Sequence, residues 1–138
     1  MSKEKLKVAV YGSLRRGMGN HRLLETSKLL STETIQANFR MVDMGSYPGL
    51  IESEEPNDIV IEVYEVTPDT YKRIERLESY PAFYDRKNVT TTEGEVGIYY
   101  LPRNSGWTSS DRLVNKTNEA FDWVKHYQEK FPYRQKYL

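Results

Sequence analysis

From Asp58 to Val66 the chain alternates: Ile59, Ile61 and Val63 fall on one side, Val60, Glu62 and Tyr64 on the other. That period of two belongs to a β-strand. Thr67-Pro68-Asp69 follows directly, with Thr67 as a helix cap, Pro68 at the first helical position and Asp69 at the positive end of the helix dipole. The helix so opened runs to about Leu77 or Glu78, since Tyr80-Pro81 does not continue it. A strand that feeds straight into a helix in mid-chain sets the class as mixed α and β.

The other segments fit that class. Val8-Ala9-Val10 is a short apolar strand that breaks into a Gly, Ser and Arg turn ending at Gly17, and Thr34 to Met44 reads as a second strand. Pro48-Gly49 marks a tight turn, and Asn20 to Leu30 predicts a short amphipathic helix. Ser53 to Asp58 reads as a solvated loop; Arg86 to Thr92 and Glu95 to Leu101 predict a hairpin through Glu93-Gly94. Pro102 to Ser110 reads as a loop. The apolar positions Leu113, Val114, Thr117, Phe121, Val124 and Tyr127 predict a C-terminal helix ended by Phe131-Pro132. Without a repeat or a linker, residues 1–138 are expected to form one α+β domain.

Composition narrows the partners. Lys+Arg and Asp+Glu balance at 20 each, so no global field draws nucleic acid or an anionic membrane surface. The absence of cysteine excludes a disulfide framework, a thiolate zinc site and a cysteine nucleophile together. Neither His21 nor His126 has a carboxylate or second histidine at metal spacing, so no metal is expected. The charged start and short apolar run fit no signal peptide or membrane span, which makes the cytoplasm the expected address. The expected partner is a small molecule or a protein.

Two stretches carry chemistry. The turn after Val10 leaves backbone N–H groups without ladder partners, an arrangement suited to an anion or a carbonyl oxygen. It lacks the Gly-Lys-Ser/Thr of a phosphate loop and is no G-x-S-x-G elbow. In the helix after Thr67, Tyr71, Ile74 and Leu77 form the apolar stripe, and Glu78 lies about 40° from its centre on helical geometry. A carboxylate on that side is paired with a cation (Arg73, Arg76 or Arg86), turned to solvent, or desolvated, and desolvation tunes a glutamate toward general-base work.

Tyr11-Gly12-Ser13-Leu14 after a hydrophobic strand resembles the opening signature of the gamma-glutamylcyclotransferase-like family, also called AIG2-like. Later pieces resemble the same family in order: Gly19-Asn20-His21-Arg22-Leu23-Leu24, then Met44 to Leu50 with its Tyr47-Pro48-Gly49, then Ile74-Glu75-Arg76-Leu77-Glu78-Ser79-Tyr80-Pro81 followed by Tyr84 and Arg86, then Gly97-Ile98-Tyr99-Tyr100. Two positions depart from the usual spelling: Glu75 stands for Asp, and Ser79 for Gly.

The resemblance implies a mixed sheet curled into a barrel with flanking helices. It also implies a cofactor-free cyclotransferase that releases 5-oxoproline, or a similar lactam, from a gamma-glutamyl amide or amine. Glu78 falls on the family's catalytic glutamate, as general base and then acid. Tyr11, Gly12, Ser13, Leu14, Tyr47, Pro48, Gly49, Tyr84 and Tyr100 are the implied substrate-binding residues. The alternative from another class is a module that binds or sequesters a small molecule in the same pocket without turnover. Ligand identity and oligomeric state stay open at this point.

Overall fold

The computed structural model describes residues 6–45, 47–78, 84–102 and 113–130. Its frame is a mixed seven-stranded sheet: β1 (Leu6–Val10), β2 (Lys28–Asp43), β3 (Pro48–Val66), β4 (Asp85–Thr91), β5 (Gly94–Tyr100), β6 (Lys116–Thr117) and β7 (Ala120–Phe121). The strands run in the order β4-β5-β1-β3-β7-β6, with β2 also paired to β3. Two helices flank it, α1 (Pro68–Leu77) and α2 (Trp123–Lys130).

The long antiparallel pair β2 and β3 forms the body of the sheet, and β1 joins its far end, Leu6 opposite Val66 and Val10 opposite Glu62. Parallel pairing of β1 with β5 makes the sheet mixed. The sheet curls so that the start of β3 meets the end of β5: Ile51 bridges Leu101, and the Leu101 N–H donates to the Leu50 carbonyl at 2.7 Å.

Strand alternation sorts side chains into two clusters. Ala9, Ile59, Ile61, Val63, Ile98 and Tyr100 join one, to which α2 contributes Trp123. Val8, Val10, Tyr64, Val66, Tyr99 and Leu101 join the other, to which α1 contributes Ile74. Ile74 has no exposed surface, in keeping with its place at the centre of the helical stripe. Thr67 caps α1, its Oγ1 accepting from the Thr70 N–H at 3.3 Å.

Three expectations from the sequence need correction. The segment from Asn20 is a single 3₁₀ turn, His21–Leu24, and β2 already begins at Lys28. Ser53 to Asp58 lies within β3, although Ser53–Pro56 have no partners in the β2 register, which steps from Ala37 opposite Asn57 to Phe39 opposite Glu52. The helix placed from Leu113 starts only at Trp123. Before it, Asn118 and Glu119 turn through positive φ of 51° and 66°, closing the β6–β7 hairpin. The expected loop from Pro102 to Ser110 lies outside the described residues after Pro102, as do the positions expected to end the last helix, Phe131 and Pro132.

Candidate active site

The loop after β1 is held by its carbonyls. The Gly12 carbonyl accepts from the Arg15 N–H at 3.0 Å, the Ser13 carbonyl from the Asn20 N–H at 2.9 Å, and the Leu14 carbonyl bonds the His21 Nδ1 at 2.9 Å. The N–H groups of Gly12, Ser13 and Leu14 have no acceptor among the described residues. With every acceptor turned inward and satisfied, the donors are left for a ligand, as in an anion-binding concavity.

Buried charge fixes the far side of this loop. Arg15, only 7% exposed, donates from Nε to Glu62 Oε2 at 3.0 Å and from Nη1 to Asp122 Oδ1 at 2.7 Å. Glu62, only 2% exposed, also accepts from the Arg16 N–H at 3.0 Å and from the Tyr64 hydroxyl at 2.8 Å. Arg15 is thus committed to structure.

Opposite the loop stands the turn between β2 and β3. A Cβ on Gly12 would meet the Pro48 ring at 2.6 Å, so the two segments pack backbone against ring. Gly49 faces the other way: a Cβ there would meet Leu101 Cδ1 at 2.4 Å, and Gly49 does not line the pocket. Its expected place in binding reduces here to close packing.

Between these walls lies a pocket of about 410 Å³. β1 and its loop supply Ala9 to Leu14, the 3₁₀ turn is preceded by Asn20, the β2–β3 turn gives Tyr47 and Pro48, the end of α1 gives Leu77 and Glu78, and Tyr84 and Tyr99 complete it. Of the residues expected from the sequence, Glu78, Tyr11, Gly12, Ser13, Leu14, Tyr47, Pro48 and Tyr84 are brought together. Tyr100 is not: it points into the α2-side cluster, with its ring 5.6 Å from that of Phe39. Its neighbour Tyr99 takes the pocket side, because successive residues on a strand face opposite ways.

Glu78 terminates α1, its N–H bonded to the Ile74 carbonyl at 2.9 Å and its carbonyl accepting from the Tyr84 N–H at 3.3 Å. The cations that sequence offered it are elsewhere or unpaired with it: Arg86 Nη1 bonds Glu75 Oε2 at 3.2 Å and the Tyr71 hydroxyl. Among the described residues no cation forms an ion pair with the Glu78 carboxylate. Burial alone pushes its pKa up from 4.5 to about 7.

The phenols around it are donors. Tyr11 gives its hydroxyl proton to the Tyr99 carbonyl and Tyr84 gives its own to the Pro48 carbonyl, each at 2.9 Å. Burial, and then neighbouring acidic groups including Glu78, raise both above the ordinary tyrosine range. Among these pocket acids Glu78 is the one whose pKa burial brings close to neutrality. Among the described residues no cluster of His, Asp or Glu is placed to hold a metal ion.

Sequence reasoning missed five pocket residues, Ala9, Val10, Asn20, Leu77 and Tyr99, as ligand-facing. Asn20 stood inside a recognised segment, and strand parity put Tyr99 and Tyr100 on opposite faces without saying which face met the ligand. No helix of the described residues is long and apolar enough to cross a membrane.

Residues 8–125 match the family model described as gamma-glutamyl cyclotransferase, AIG2-like. The gamma-L-glutamyl-butirosin B gamma-glutamyl cyclotransferase of Niallia circulans is 42% identical over 105 residues, covering 72% of this chain and 62% of that protein. A Methanocaldococcus jannaschii protein provisionally named a gamma-glutamylcyclotransferase is 38% identical, covering 72% of this chain and 87% of its own. An uncharacterised Pyrococcus horikoshii protein superposes with a TM-score of 0.71 over 92% of this chain and 97% of that one; at 23% identity this likeness shows the fold. The solution structure of Escherichia coli ytfP, 28% identical, gives a TM-score of 0.61 over 86% of this chain and 96% of that one.

Proposed function

Because the chain belongs to the gamma-glutamyl cyclotransferase, AIG2-like family, we propose that it cleaves a gamma-glutamyl amide or amine and releases 5-oxoproline, with Glu78 as base and then acid. Residues 1–138 are read as one domain of this family. The substrate carries an α-amino group and a carboxylate.

In the reaction Glu78 takes a proton from the substrate's α-ammonium. The freed amine attacks the side-chain carbonyl carbon of the same molecule, a five-membered ring closes, and the bond from that carbon to the leaving amine breaks. Glu78 returns its proton to the leaving nitrogen, and the second proton shed by the ring nitrogen also passes to that amine, which departs as its ammonium. Because the attack is intramolecular, the protein supplies no nucleophile; it holds a near-attack conformer and stabilises the oxyanion.

The free N–H groups of Gly12, Ser13 and Leu14 suit that oxyanion or the substrate carboxylate. One observation carries the reading: Glu78 lies in the same pocket as those donors, without an ion-pair partner among the described residues, and titrates near 7. A glutamate at that value is ionised often enough to accept a proton and basic enough to take one from an amine in the transition state.

The test is incubation of the purified protein and its Glu78→Gln variant with gamma-glutamyl dipeptides, gamma-glutamyl amines and glutathione, with 5-oxoproline read by mass spectrometry. Product from the wild type that disappears in the variant supports the proposal. No product from either, with a small molecule retained through purification, turns the reading to a binding module.

A further inference from the structure

Ser13 and Asn20 both line the pocket, and the Asn20 Nδ2 donates to the Ser13 Oγ at 3.0 Å. The partner carbonyl of the same serine takes the Asn20 backbone N–H at 2.9 Å, so Asn20 is fixed on Ser13 by two bonds. A hydroxyl has one proton to give and two lone pairs to receive. Once an amide N–H occupies one lone pair, the hydroxyl proton is turned away from Asn20. Among the described residues Ser13 Oγ has no acceptor of its own.

We propose that Asn20 is a positioning residue that sets the polarity of the Ser13 hydroxyl, so that Ser13 presents a hydrogen-bond donor to an anionic oxygen of the gamma-glutamyl group. The inference rests on the function proposed above and assigns a direction to one of its binding groups. Three backbone N–H groups already line this loop without acceptors. A hydroxyl aimed the same way adds a fourth donor, whereas a reversed hydroxyl would bring lone pairs against a ligand anion. With Asn20 Nδ2 on the serine oxygen, as the structure has it, the reversed state is opposed, since that NH₂ group has protons only to give.

Asn20→Asp tests this, because it keeps the shape and replaces the donor with an acceptor that draws the Ser13 proton toward itself. The new charge also acts directly on a ligand anion, so the comparison is a cycle of four proteins: wild type, Asn20→Asp, Ser13→Ala and the double variant. Two readouts are taken, kcat and KM for a gamma-glutamyl amide by 5-oxoproline release, and the dissociation constant of 5-oxoproline by calorimetry. Thermal melting checks that each variant is folded, and Asn20→Ala removes the donor without adding charge.

The expected result is a loss in Asn20→Asp at least about tenfold greater with Ser13 present than in the Ser13→Ala background, the size of a hydrogen bond changed from attractive to repulsive. Asn20→Ala should show a smaller loss that also depends on Ser13. Equal losses in both backgrounds, or no loss at all, overturn the assignment. If the wild type binds 5-oxoproline but releases none from any substrate, the cyclotransferase reading fails while the cycle of dissociation constants still decides the polarity. If it neither binds nor reacts, both fall.

Discussion

The Tyr84 hydroxyl donates to the Pro48 carbonyl at 2.9 Å, tying the residue whose N–H donates to the Glu78 carbonyl to the turn on the far side of the pocket. The segment bearing the candidate base and the wall facing it are thereby set at one distance. Tyr84→Phe removes a buried donor and leaves a carbonyl unpaired, a cost of about 1–3 kcal/mol. Urea denaturation should show that loss, and kcat/KM should fall because the distance across the pocket is no longer fixed.

Glu78→Gln is expected to reduce turnover by a factor of about 100 to 10,000, the usual contribution of a positioned general base. The KM should change little if the group acts mainly on the proton. Steady-state release of 5-oxoproline at pH 8 separates the two parameters.

The pH profile should reflect the same group. A base that titrates near 7 must be ionised in the free enzyme, so kcat/KM is expected to rise with pH and level off above about 7. The acid limb should be absent in Glu78→Gln, whatever residual rate that variant keeps.

Stability should move in the opposite direction. The folded protein holds the Glu78 proton up to about pH 7, whereas the unfolded chain releases it near 4.5. Between those values the native state binds more protons, so stability falls as pH rises and is level above that window. The deficit at pH 8 amounts to up to about 3 kcal/mol. Glu78→Gln should therefore be more stable than the wild type at pH 8 and nearly equal at pH 4, as read by urea midpoints.

Gly12→Ala places a methyl group 2.6 Å from the Pro48 ring. Both partners are stiff, so relief requires the loop to withdraw, at a cost of about 1–3 kcal/mol. Loss of 5-oxoproline formation should accompany a lowered melting temperature, because the displaced backbone is the one that carries the free donors.

The features legible in the sequence are those set by neighbours along the chain. Thr67, Ile74 and Glu78 fall within about three helical turns, so their relative directions follow from the pitch of one helix. The Arg15, Glu62 and Asp122 cluster was hidden because its members come from three separate segments and meet only when the sheet has formed. The choice of Tyr99 over Tyr100 needed the side of the sheet on which α1 packs, which alternation alone does not provide. The late start of α2 turned on Asn118 and Glu119, two non-glycine residues in a left-handed turn, where only the asparagine hinted at such a conformation.

Ser53–Pro56 stand outside the β2 register while the strand resumes on both sides of them, with Glu54, Glu55 and Pro56 exposed. None of the four lines the pocket. The hairpin can therefore gain or lose residues at this point and keep the same side chains facing the core, since the pairing on either side is anchored separately. Relatives that differ in length have here a place to do so at no expense to the chemistry.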